Sequence, residues 1–165
     1  MKTFTQFIGE VFNKKEDGTY VAINFQQKTV DELVQLFSYI ELNENAKRLE
    51  PEDLHTTLMY CPTGDYVNVP PSLSGLTIRI YDAKLDLFGE NKNILVLSFK
   101  STVLNNRFKE IKHKHGLTST YPNYKPHITI AEDVEEFGLK KEFLEKLENF
   151  DVLYIDKEYS EKIKD

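Results

Sequence analysis

The chain of 165 residues contains no tryptophan and a single cysteine, Cys61. One cysteine cannot form an internal disulfide, so nothing in the covalent chemistry points to an oxidising compartment. Cys61 itself reads as a small buried hydrophobe. No stretch stays apolar for the length of a membrane span, and Met1-Lys2-Thr3-Phe4-Thr5-Gln6-Phe7-Ile8 lacks the unbroken apolar core of a signal peptide. The expectation is a cytoplasmic protein, in its own cell or in a host's. A net positive charge is lacking too. A net charge of −6 with no long basic run argues against wrapping a long nucleic acid or coating an anionic membrane. A small anionic ligand stays compatible, because it needs only a local pocket.

What is present is ordinary in bulk: 40% hydrophobic and 29% charged residues, with Phe and Tyr supplying the aromatic surface. That composition and length fit one domain over residues 1–165, large enough for a real core and able to divide into two lobes. The informative feature is a short phrase that occurs twice, as Leu54-His55-Thr56-Thr57-Leu58 and as Pro126-His127-Ile128-Thr129-Ile130. Each sets a histidine two places before a threonine in an apolar, β-branched run that favours a strand. Alternation then puts His55 and Thr57 on one face, and likewise His127 and Thr129, with the apolar neighbours on the other. Threonine is roughly one residue in fourteen, so two of four histidines meeting this spacing by chance is on the order of a few per cent. One such histidine alone would read as a half-buried strand residue; the matched pair reads as two halves of an acid–base site facing across a cleft.

Around these phrases the chain reads as follows. Residues 4–12 are apolar and aromatic and fit either a short helix or a strand, and Thr19–Phe25 predicts a strand. A helix is expected from an N-cap at Thr29, with Glu32 closing a capping box and Val30, Leu33, Val34, Phe37, Ile40 and Leu42 on one stripe. Residues 61–75, rich in proline and glycine, read as a long surface loop that is either a lid or a crossing. The run 76–88 predicts one long or bulged strand, turned back at Gly89-Glu90-Asn91-Lys92-Asn93 into a strand over 94–99. Ser101 or Thr102 should cap a helix that ends at His115 with Gly116 as its stop. A helix over 136–149 and a strand over 150–159 close the chain. Each half thus offers a helix followed by a motif strand, an α+β pattern with the look of a duplication.

Zinc is the natural competitor for paired histidines. The remaining two, His113 and His115, stand two apart near the end of a lysine-rich helix, which points them to different sides. Their place is explained by cations at a helix C-terminus. With no cysteine pair and no carboxylate at ligand spacing beside the motif histidines, the expectation is a site with no metal and no cofactor.

These residues resemble the 2H phosphoesterase superfamily, the RNA-ligase-like cyclic phosphodiesterases, which carry two His-x-Thr/Ser motifs. The match runs from the Tyr20 strand to the final strand, and Tyr124-Lys125-Pro126-His127-Ile128-Thr129 is its most specific piece. The resemblance implies a bilobal fold, with two pseudo-symmetric antiparallel sheets flanking a central cleft and helices outside. It also implies metal-independent cleavage of small nucleotide phosphodiesters, with 3′,5′-, 2′,5′- or 2′,3′-cyclic linkages all open. Within the superfamily the chain is similar to phage anti-CBASS nucleases, which destroy the cyclic oligonucleotide signals of bacterial immunity; viral 2′,5′-oligoadenylate phosphodiesterases share the motif content. On that resemblance His55 and His127 divide the roles of acid and base, in an order the sequence leaves open. Thr57 and Thr129 donate to the non-bridging oxygens. Tyr20, Tyr121 and Tyr124 become candidates for base stacking and Lys125 for phosphate contact. Anti-CBASS nucleases are described with pocket tryptophans, and here only Phe or Tyr could serve. The implied partner is a small nucleotide, the implied state a monomer or weak dimer. The non-enzymatic alternative is a nucleotide sponge, which needs neither acid nor base.

Overall fold

A computed structural model describes residues 17–121 and 123–163; the aromatic stretch 4–12 lies outside the described residues. The β-branched run Thr19–Phe25 forms β1, and Gln27–Ser38 forms helix α1. After it come two short strands, β2 (Ile40–Leu42) and β3 (Lys47–Arg48), and a 3-10 turn at Pro51–Asp53. The first motif strand, β4, is His55–Cys61. Then follow β5 (Thr77–Arg79), β6 (Tyr81–Phe88), β7 (Ile94–Lys100) and helix α2 (Thr102–His115). The second motif strand, β8, is His127–Glu132; β9 (Phe137–Leu139), α3 (Glu142–Glu148) and β10 (Val152–Glu161) complete the order.

The strands form two four-stranded antiparallel sheets, ordered β4-β1-β10-β5 and β3-β8-β7-β6, plus a β2–β9 ribbon. This is the expected pair of antiparallel sheets. Leu33, Leu36 and Phe37 bury one side of α1, which packs on β1 and β10; Leu104, Phe108 and Ile111 do the same for α2, which lies against β4. The core is continuous from Ile23 and Ile155 in one sheet to Leu97 and Ile128 in the other. Among the described residues no helix is long and apolar enough to cross a membrane.

Several expectations change. Thr29 is not the cap of α1: it lies buried inside the first turn, and its Oγ1 accepts from the Tyr154 amide at 2.9 Å. Val34 is exposed on α1, off the buried stripe, and the helix ends at Ser38, so Ile40 and Leu42 belong to β2. The run 76–88 is two strands in two sheets, β5 on β10 and β6 on β7, and the chain changes sheet at Ile80. The span 136–149 holds β9 and a shorter helix rather than one helix. Ser101 and Gly116 do act as expected: the Ser101 hydroxyl accepts from the Leu104 amide at 3.1 Å, and Gly116 ends α2 at φ 64°.

The proline-rich loop is a pinned crossing. Its amides at Val67, Val69 and Leu73 donate to Thr19 Oγ1, Ser160 Oγ and Glu158 Oε1. Glu158 is wholly buried and is forked by Arg107 of α2, at 3.0 Å from Nε to Oε1 and 2.7 Å from Nη2 to Oε2.

Candidate active site

Both motif strands share one anatomy. The burial sequence is half-buried, buried, half-buried, buried, buried for His55 to Met59, and the same for His127 to Ala131. Strict alternation fails at the fourth and fifth places because each strand carries a bulge there. Register runs Ala22–Thr57 then Val21–Met59, skipping Leu58, and Val96–Thr129 then Leu95–Ala131, skipping Ile130. The extra residue lets two consecutive apolar side chains enter the core while histidine and threonine keep the other face. In each half the partner strand is the one that runs into the following helix, β1 before α1 and β7 before α2. Strands β4 and β8 touch, and His55 lies near enough to His127 to act on its titration.

The rings are held alike. His55 Nδ1 donates to the Asp53 carbonyl at 2.7 Å, and His127 Nδ1 donates to the Lys125 carbonyl at 2.9 Å. A carbonyl can only accept, so each bond fixes the proton of the neutral ring on Nδ1 and leaves Nε2 for proton transfer. Burial pushes His127 below its usual 6.5; the Lys125 carbonyl opposes this and the neighbouring His55 adds to it. Phe88, at the end of β6, meets the His127 ring edge-on at 4.8 Å between centroids.

Thr57 is gripped twice. Its hydroxyl lies 3.0 Å from the Tyr20 hydroxyl, and its carbonyl accepts from the Tyr124 hydroxyl at 2.8 Å. Tyr20 also stands edge-on to His55, at 6.3 Å, and to Tyr159, at 6.4 Å. Burial pushes Tyr20 up to about 12, so it keeps its proton at any physiological pH. Burial raises Tyr124 as well, and one face of its ring is stacked on Phe108 at 4.7 Å and 5°.

Of the residues marked in the sequence, Tyr20 and Tyr124 thus meet Thr57, His55 stands beside Tyr20 and acts on His127, and Thr129 lies two residues beyond His127 on β8. Lys125 engages through its carbonyl, with its side chain exposed. Tyr121 is exposed, Cys61 is buried with Sγ toward the Thr63 carbonyl, and His113 and His115 stay in the last turn of α2. Phe88 and Tyr159 were not marked. Phe88 enters by its register opposite Ile94 and Tyr159 by pairing with Ala22, neither of which has a local sequence signal. The two carbonyls could have been found, since both lie two residues before a motif histidine.

Comparison with known proteins follows the same lines. The family described as anti-CBASS protein Acb1 matches residues 17–165. The Acb1 of Acinetobacter phage Ac42 is 30% identical over 129 residues, covering 76% of this chain and 80% of the phage protein. That of Escherichia phage RB16 is 31% identical over 136 residues, covering 81% and 72%. Among solved structures, one titled as a phosphoesterase superposes with a TM-score of 0.52 at 13% identity, covering 75% of this chain and 77% of that one. The protein TT0787 of Thermus thermophilus gives 0.52 at 13%, covering 87% and 97%. At such identities the likeness is one of fold.

Proposed function

Since the chain belongs to the Acb1 family of anti-CBASS proteins, we propose that it is a metal-independent phosphodiesterase that opens cyclic di- or trinucleotide immune signals with 3′,5′ linkages, in the cytoplasm of an infected host. The observation that carries this reading is the matched pair of imidazoles. Each presents Nε2 from the same position of a like strand, and the charge of His55 is felt at His127.

His127, held toward its neutral form, takes the proton of the ribose 2′-hydroxyl at Nε2. The 2′-oxygen attacks phosphorus and the bond to the 5′-oxygen breaks. His55, protonated at Nε2, delivers its proton to that leaving oxygen. Charge building on the non-bridging oxygens is met by the hydroxyls of Thr57 and Thr129. The product is a linear nucleotide ending in a 2′,3′-cyclic phosphate, and one cut is enough to silence a ring-shaped signal. Tyr20 and Tyr124 frame Thr57, and Lys125 positions His127 through its carbonyl.

The test is a panel of cyclic di- and trinucleotides, 2′,5′-oligoadenylate and 2′,3′-cyclic mononucleotides, incubated with the protein and read by chromatography. Linearised 3′,5′-cyclic oligonucleotides are expected. Return of every ligand intact after heat denaturation would make the protein a sponge and sink the proposal.

A further inference from the structure

The two halves of the site are alike in their histidines and unlike in their threonines. In the first half the strand pairing sets Thr57 opposite Ala22, and Tyr20 stands two residues back on β1 with its hydroxyl on Thr57 Oγ1. In the second, Thr129 is opposite Val96, and the residue two back on β7 is Ile94, which has no hydrogen-bonding group. The same backbone geometry therefore supports a hydroxyl–hydroxyl contact in one half and an apolar neighbour in the other.

The direction of that contact follows from chemistry. A phenol is the more acidic hydroxyl and, with its lone pair drawn into the ring, the poorer acceptor, so Tyr20 donates and Thr57 Oγ1 accepts. Tyr20 stays protonated, as this requires. With an Oγ1 lone pair committed to the tyrosine, the Thr57 hydrogen is turned away from β1. The backbone beneath it cannot swing to compensate, because Tyr124 holds the Thr57 carbonyl and is itself stacked on Phe108.

We propose that Tyr20 is a positioning residue, whose hydroxyl aims the Thr57 hydroxyl proton into the cleft at a non-bridging phosphate oxygen. This rests on the phosphodiesterase reading above and adds a role for Tyr20 distinct from stacking on a base. A free threonine hydroxyl spreads its hydrogen over three rotamers; one already fixed toward the transition state loses no rotational freedom when charge develops.

Tyr20→Phe tests it, since every ring atom that meets His55 and Tyr159 is retained and only the hydroxyl goes. The probe is 3′,3′-cyclic GMP–AMP or, should the wild type cleave only 2′,3′-cyclic AMP, that nucleotide. The expected result is a kcat lowered about tenfold with KM kept within about twofold. In a Thr57→Ala background the same substitution should have no further effect, because nothing is left to aim. Thermal melting of each variant confirms that the fold is shared. Unchanged kcat, a rise in KM alone, or equal losses with and without the Thr57 hydroxyl would each overturn the proposal while leaving the activity in place. A wild type inactive on every probe overturns the phosphodiesterase reading and this proposal with it.

Discussion

In both motif histidines the Nδ1 hydrogen is donated to a carbonyl two residues back, which leaves Nε2 as the nitrogen free to exchange a proton. For His127 the burial and the nearby His55 both lower the pKa from 6.5. Its neutral form is therefore the populated one at pH 7, and the acid limb of kcat/KM should fall below pH 6.5. Replacing His55 by Gln removes one of the lowering influences, so the His127 titration followed by NMR should move upward. A midpoint that stays or drops would mean the rings do not sense each other. The residue between histidine and threonine differs between the two motifs. Thr56 is fully buried and its hydroxyl has no partner among the described residues, whereas the matching place in the second motif is Ile128. An unpaired buried hydroxyl is a net loss, and valine has the same shape. Thr56→Val should gain about 1 kcal/mol, a rise in Tm of about 2–4 °C, with turnover unaltered. The doubled phrase was readable in the chain because spacing of two on a strand is a local property. The grip of Tyr20 and Tyr124 on Thr57 was not, since it depends on which strand lies beside β4 and where the segment before β8 passes.

At the scale of elements, each motif strand is held in register by its neighbour, β4 on β1 and β8 on β7, with a bulge after Thr57 and after Thr129. Arg107 on α2 forks the buried Glu158 of β10 and also donates to the Pro70 carbonyl at 2.7 Å, joining helix, sheet and crossing loop. Removing the arginine strands a carboxylate in the interior. Arg107→Leu should cost about 3–5 kcal/mol in urea denaturation, and a loss below about 1 kcal/mol would show the pair to be dispensable. Gly18, at φ +69° just before β1, is constrained more simply. A Cβ there would come within 2.8 Å of the Cys61 carbonyl oxygen, so Gly18→Ala should destabilise by at least about 1 kcal/mol in the same assay. Elements with chemical punctuation were legible: Ser101 and Gly116 bracket α2 because a hydroxyl cap and a left-handed stop are local devices. Thr29 misled because the same hydroxyl that can cap a helix here serves the Tyr154 amide from another strand. The split at Ile80 was hidden for a related reason: both sides alternate, and the change of phase between Ile80 and Tyr81 fits a bulge in one strand as well as a change of sheet, which only tertiary pairing decides.

Over the whole molecule, two similar strand–helix–strand halves carry one His-Thr motif each, and the partners of the two motifs differ. One half has Thr57 hydrogen-bonded to Tyr20; the other has Phe88 edge-on to His127, whose pKa burial lowers. A net charge of −6 gives no long-range pull on a phosphate, so added salt should not weaken binding of an anionic nucleotide. The α+β pattern followed from the order of elements in the sequence, and the pair of antiparallel sheets from the family resemblance. The lowered pKa of His127 did not, since it follows from burial, and burial is a property of the assembled fold. The most direct test of the central claim is turnover of 3′,3′-cyclic GMP–AMP in the presence of EDTA by the wild type and by His55→Gln and His127→Gln. Full activity in EDTA for the wild type, with a loss of at least about a hundredfold in either variant, is the predicted result. Activity abolished by chelation and restored by a single metal, or retained when either imidazole is gone, would contradict it.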